Sequence, residues 1–195
     1  MKNEKRTDRR VEKTKKAIKN AFAKLISEKG INDITVKDVA LVANINRKTF
    51  YNYYKGLYQV INEIEEEISD KFERSVSNVD LLHGEDQPYR FFEDFTKMLD
   101  EDGDFYSLII NDRSEGGVMS KIIDYIKTKA LKSAKDATNI DVDNLKIAVD
   151  FAVSGMVEVY RSWFQSGRRI PPEKVSRSIS TMCASGFIGM LIDAE

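Results

Sequence analysis

Arg47, Lys48, Thr49, Tyr51, Asn52, Tyr53 and Lys55 crowd hydrogen-bonding side chains into one short stretch of the chain. If this stretch is helical, Phe50 and Tyr54 are four apart and share a face. With those two turned inward against Val39, Lys48, Thr49 and Asn52 lie opposite, and Arg47, Tyr51 and Tyr53 lie at the flanks. Arg, Lys and Asn carry the donor and acceptor patterns that match base edges in the major groove of a duplex. Tyrosine hydroxyls, Thr49 and Lys55 suit phosphate oxygens, which fix register without reading sequence. Thr35 and Lys37, slightly earlier in the chain, complete this candidate DNA-facing set. The competing reading is a helical hairpin whose polar side faces water.

Positioning such a set requires three elements. Apolar residues at Val11, Ile18, Phe22, Leu25 and Ile26 predict an amphipathic first helix over about Asp8 to Lys29, stopped by Gly30. Thr35 is placed to cap a second helix over Val36 to Ala43, and Asn46 a third over Arg47 to Tyr53, with Asn44-Ile45 as the turn between them. Two short helices joined by a tight turn and braced by a longer one are the parts of a helix-turn-helix, whose second helix enters the major groove. A fourth helix follows from Leu57 to about Val79.

The segment from Thr35 through Val36, Lys37, Asp38, Val39 and Ala40, and then the run Ala43-Asn44-Ile45-Asn46-Arg47-Lys48-Thr49-Phe50-Tyr51-Asn52-Tyr53-Tyr54-Lys55, resembles the signature of the TetR family of bacterial regulators. The likeness is gapless and runs over about Lys13 to Ile64. It implies a helix-turn-helix domain at 1–56 that binds a palindromic double-stranded operator. It also implies a domain at 57–195 that dimerises and binds a small-molecule inducer or a protein co-regulator, and repression that the effector relieves. Where the family usually has a phosphate-touching lysine at the start of the fourth helix, this chain has Leu57; either Lys55 substitutes or Leu57 belongs to the core. A weaker likeness at Phe151, Ser154-Gly155, Trp163, Gly167 and Pro171-Pro172-Glu173 resembles a Firmicutes-type branch.

The chain has 195 residues, three prolines and ten glycines, and apolar positions recur at helical spacing throughout, so the expected fold is all-α with about nine helices. After a break at Asp80 to Gln87, helices are expected from Pro88, ending at Gly103; around Phe105 to Asn111; from Gly117 to Ala137; from Val142 to Ser166; and from Pro172 to Asp193. Charge is unevenly spread: residues 1–60 hold 15 Lys and Arg against 6 Asp and Glu, a net of +9, and residues 61–195 hold 16 against 26, a net of −10. A basic segment on an acidic body suits a polyanion at one end, with a solvated charged surface as the alternative. Lys15, Lys16 and Lys19 on the first helix join Lys37, Arg47, Lys48 and Lys55 as candidate phosphate contacts.

In the second half, Ser154 and Gly155, and then Thr181, Ser185, Gly186 and Gly189, form small-residue stripes that allow close helix approach. They are expected to build a four-helix interface of a homodimer, or else to pack within one subunit. Phe91, Phe95, Met98, Phe105 and Met119, with Tyr125, Met156, Tyr160 and Trp163, are candidate pocket lining, the alternative being ordinary core.

No enzymatic constellation is present in the sequence. The single histidine, His83, and single cysteine, Cys183, are far apart, so no metal site or cofactor is expected. Gly116-Gly117 lacks the sequel of a phosphate loop. The longest apolar run, Phe187 to Ile192, is short of the ~20 residues of a membrane span, and the expected setting is the cytoplasm. The remaining alternative is a helical ligand- or protein-binding module without operator binding.

Overall fold

The computed structural model describes residues 2–77, 87–112, 117–137 and 141–192. Its helices are α1 (Lys2–Lys29), α2 (Val36–Val42), α3 (Arg47–Tyr51), α4 (Leu57–Ser77), α5 (Gln87–Glu101), α6 (Gly103–Ile110), α7 (Val118–Ala137), α8 (Val142–Gln165) and α9 (Pro172–Ile192), with one 3-10 turn at Ile31–Asp33. The fold is all-α, and no strand occurs among the described residues. The expected break at Asp80 to Gln87 lies outside those residues up to residue 86, as do residues 138–140.

Most helix ends fall within a residue or two of where caps and glycines put them, because such signals act on their own turn. Two differ in kind. α1 starts at Lys2, not Asp8, extending the amphipathic helix by a polar turn and a half. Gly103, expected to end the fifth helix, instead opens α6. Its lack of a side chain serves a different purpose: a Cβ there would lie 2.9 Å from Cζ of Arg168.

α4 is the spine of the molecule. Its Val60 and Ile64 are fully buried and share a continuous core with Ile18 and Phe22 of α1, Val39 of α2 and Phe50 of α3. One and two turns later Ile68 and Phe72 join the other end of the same core, where Phe72 meets Phe91 and Phe95 of α5 edge-on at centroid distances of 5.8 and 6.0 Å. Phe95 continues to Tyr160 of α8 at 5.6 Å. Each buried aromatic of this kind removes enough apolar surface to contribute roughly 1.5–3 kcal/mol, and edge-to-face geometry suits the ring quadrupoles. α5 packs along α9, and α7 along both α4 and α8, which closes the bundle. The polar end of Tyr160 is satisfied inside it: its hydroxyl lies 2.7 Å from that of Thr96, which donates to the Phe92 carbonyl at 2.6 Å.

Candidate nucleic-acid interface

The two short helices are pinned by their own side chains. At the start of α2 the Thr35 hydroxyl accepts from the Asp38 N–H at 3.2 Å, while the Asp38 carboxylate accepts from the Thr35 N–H at 2.9 Å and the Thr35 hydroxyl at 2.7 Å. This reciprocal box satisfies donors that a helix start leaves orphaned. Lys29 donates to the same carboxylate at 2.9 Å. The Lys29 and Thr35 hydrogen bonds hold the Asp38 carboxyl down at about 2. The connection then turns sharply through Asn44, which takes φ 53°, a conformation asparagine tolerates better than most residues. Asn46 caps α3 by accepting from the Thr49 N–H at 2.7 Å and the Thr49 hydroxyl at 3.1 Å.

α3 is therefore held by a cap at one end and a core anchor below. Phe50 is 0% and Tyr54 3% exposed. Opposite them Arg47, Lys48, Tyr51 and Asn52 are exposed, together with Lys37 on α2 and Lys55 after α3. The Tyr51 ring rests edge-on against Phe50 at 5.6 Å, so its hydroxyl is held out from the helix by a packed ring. Thr35 and Thr49 are committed through their hydroxyls to capping bonds, and Tyr53 is half-buried against the core. At the start of α4 Leu57 is also half-buried against the core, and the Lys55 N–H donates to Gln59 Oε1 at 2.6 Å, leaving the Lys55 ammonium in solvent.

Lys15, Lys16 and Lys19, the candidate phosphate contacts of α1, are ion-paired in the DNA-free chain. They turn to carboxylates of this chain: Lys15 to Glu63 at 2.7 Å, Lys16 to Asp102 at 2.9 Å, and Lys19 to Glu63 at 3.5 Å and to Glu67. Burial pushes the Glu63 carboxyl up, but the Lys15 hydrogen bond and the charges of Lys15 and Lys19 outweigh it and hold it below the usual range. Lys15 also lies 5.4 Å over the ring of Tyr54, whose hydroxyl burial and the nearby Glu63 push strongly upward. The positive charge of α1 thus braces α4 beneath α3. Sequence reasoning missed this because Lys15 and Glu63 are 48 residues apart.

In the larger half, Phe95, Met119, Met156 and Tyr160 line an apolar cavity of about 40 Å³ together with Ile68 and Tyr106. Phe91, Met98, Phe105, Tyr125 and Trp163 do not line it. Phe91 packs on Phe92 and Phe95, and Met98 and Phe105 lie half-buried against the core. Tyr125 donates to Glu73 at 2.5 Å, and the Trp163 indole to the Ile170 carbonyl at 2.7 Å. Ser154, Gly155, Thr181 and Ser185 are exposed; the side chains described on α9 end at Ser185, before Gly186 and Gly189. Beside them stand Ile147 at 66%, Phe151 at 79% and Met182 at 56% exposure. The sequence signal for this second face was α8 being apolar on two sides, Ile147 and Phe151 against Leu145 and Val153.

Residues 86–185 match a TetR-type family model described as a transcriptional regulator C-terminal region. The chain belongs to the TetR family. That family model is one of transcriptional regulators. Over 59 residues it is 41% identical to an HTH-type transcriptional regulator of Bacillus subtilis, YxbF, a match spanning 30% of this chain and 16% of that relative. Among solved structures, a TetR transcriptional regulator from Streptococcus agalactiae is 23% identical at a TM-score of 0.58, covering 91% of this chain and 97% of that one. FadR from Bacillus subtilis, solved in complex with stearoyl-CoA, is 16% identical at a TM-score of 0.59, covering 87% and 97%. At such identities the structures speak for the fold. No helix among the described residues is long and apolar enough to cross a membrane, and no three His, Cys, Asp or Glu side chains converge there.

Proposed function

We propose that this TetR-family chain is a cytoplasmic, homodimeric repressor that holds a palindromic operator through α3 and releases it when an apolar effector enters the larger half. The carrying observation is α3 itself, anchored by Phe50 and Tyr54 and capped by Asn46, with Arg47, Lys48, Tyr51 and Asn52 left outward. Arg47 and Asn52 suit base edges, while Lys37, Lys55 and the Tyr51 hydroxyl suit phosphates. Residues 1–56 form the DNA-binding domain and 57–195 the effector and dimer domain.

Dimerisation is supported by Ile147, Phe151 and Met182, large apolar side chains standing in solvent beside exposed Ser154, Gly155, Thr181 and Ser185. A Cβ on Gly155 would meet nothing within 4 Å, so the small residues there leave room for a second copy. A two-fold through α8 and α9 then presents two α3 helices to successive major grooves.

An apolar effector is supported by the wholly apolar cavity walls, and a protein of the same fold, FadR, has been solved with stearoyl-CoA. At about 40 Å³ the cavity is far smaller than the ~300–1,000 Å³ of a ligand site, so an effector enters by displacing side chains, of which Met119 and Met156 are the most adaptable.

The deciding experiment selects duplexes from a random pool with the wild-type chain and compares Lys48→Ala and Tyr51→Ala on the winners. Weaker binding by dimers of unchanged melting temperature is expected; unchanged affinity in both variants defeats the assignment of α3.

A further inference from the structure

The corner between α5 and α6 touches both functional halves, and its acidic residues divide between them. Asp102 stands at the N-cap of α6, yet its side chain makes no capping bond; it receives Lys16 of α1 at 2.9 Å instead. That hydrogen bond and the charge of Asp102 together push the Lys16 ammonium's pKa up. Asp100, two residues earlier, faces the other way: Arg168 Nη1, from the α8–α9 connection, reaches its carboxylate at 3.0 Å and its carbonyl at 3.4 Å. Arg168 Nη2 lies 3.9 Å from Asp104.

Between the two contacts sits buried Gly103, whose missing Cβ is the space that the Arg168 guanidinium fills. The Arg168 side chain is exposed, but the backbone that carries it is fixed. Its backbone takes φ 57°, directly after Gly167 at φ 71°, and its N–H closes the end of α8 on the Trp163 carbonyl at 2.9 Å. The Trp163 indole in turn holds the Ile170 carbonyl at 2.7 Å. A left-handed arginine persists only where its surroundings over-determine it.

We infer that the α5–α6 corner is a two-sided clamp, with Lys16 and Asp102 on one side and Gly103, Asp100 and Arg168 on the other, that sets the position of α1 relative to the α8–α9 end. Lys16, Asp102, Gly103 and Arg168 are positioning residues for DNA binding, acting through α1 on the helix-turn-helix that α1 supports. The clamp rests on the proposed use of α3 only where DNA is the readout; its geometry is testable without DNA.

Two cycles test it on the full chain. In the first, Lys16→Glu and Asp102→Lys each speed amide exchange in α1 and at the start of α6, and each weakens binding to a duplex selected by the wild type by on the order of fivefold, the scale of one exposed ion pair. The charge-swapped double variant restores both readouts, which a merely local disturbance does not do. In the second, Gly103→Ala displaces the guanidinium and reproduces the exchange pattern of Arg168→Ala, while adding Gly103→Ala to Arg168→Ala changes nothing further, because the obstruction has gone. Exchange across the middle of α8 stays as in wild type. Additive effects of Gly103→Ala and Arg168→Ala, or a swap that rescues neither readout, overturns the clamp. Failure of the wild type to select any duplex defeats the DNA reading, and the exchange cycles still decide the clamp.

Discussion

α3 and α8 present the two exposed faces on which the proposed function rests, and they are built in opposite ways. α3 is a helix of five residues that buries a single side chain, Phe50, and owes its existence to the Asn46 cap and the packing of its neighbours. An isolated helix of that length does not form in water, since nucleation costs more than so few bonds return. α8 has 24 residues, buries Leu145, Val153, Met156, Val157, Tyr160, Arg161, Trp163 and Phe164, and still leaves Ile147 and Phe151 outside. The contrast separates two kinds of surface. A polar reading face must be held rigid by contacts beneath it, whereas an apolar face that stands in solvent is explained by what covers it.

The contrast is broken most severely at the apolar face. Phe151→Glu is expected to abolish the dimer, because each of two copies forfeits roughly 1.5–3 kcal/mol of ring burial and gains a charge in its place. Light scattering reads this as half the mass with the far-ultraviolet helix signal retained. A mass that stays dimeric places the interface elsewhere.

Next in size is the anchor beneath the reading face. Phe50→Ala should cost about 3–5 kcal/mol in denaturant unfolding and remove DNA binding, since a fully buried ring leaves a cavity under α3. If binding survives at full affinity, α3 does not depend on its core contact.

Smaller changes act on the face itself. Lys48→Ala is expected to lose about 1–3 kcal/mol of operator affinity if the lysine reads a base, with no change in the unfolding midpoint, and Lys37→Ala to weaken all duplexes alike with a shallower salt slope. Lys16→Ala should leave that slope unchanged, since its charge is already paired with Asp102. A slope that falls equally in both variants would restore Lys16 to the phosphate contacts.

The finest effects belong to the caps. Asn46→Ala should cost about 1 kcal/mol by urea titration, the usual loss of an N-cap. Asp38 adds a pH dependence with a definite sign. Its carboxyl is held at about 2 in the folded chain against 3.8 ordinarily, so the stability it contributes is present above about 4 and is lost as pH falls toward 2. Asp38→Asn should flatten acid unfolding in that window. Glu63, also held low, works in the same direction through the Lys15 and Lys19 brace.

What the sequence determined by itself is the set of features whose causes are local. Gly30 at φ 74°, the Thr35 and Asn46 caps, the Asn44 turn, and the placement of Phe50 and Tyr54 inward all follow from residues within one helical turn of each other. Helix periodicity carries the all-α fold for the same reason. The tertiary structure alone decided which partners distant residues meet. Lys15, Lys16 and Lys19 look like phosphate ligands along the chain and are ion-paired across 44 or more residues in the fold. Phe91 and Trp163 carry the same aromatic signal as Phe95 and Tyr160, yet only the latter pair lines the cavity. Gly103 has the composition of a helix stop and the role of a space for Arg168, 65 positions later. Composition and periodicity fix which way a side chain leaves its helix; what it then touches depends on how the helices are laid against one another.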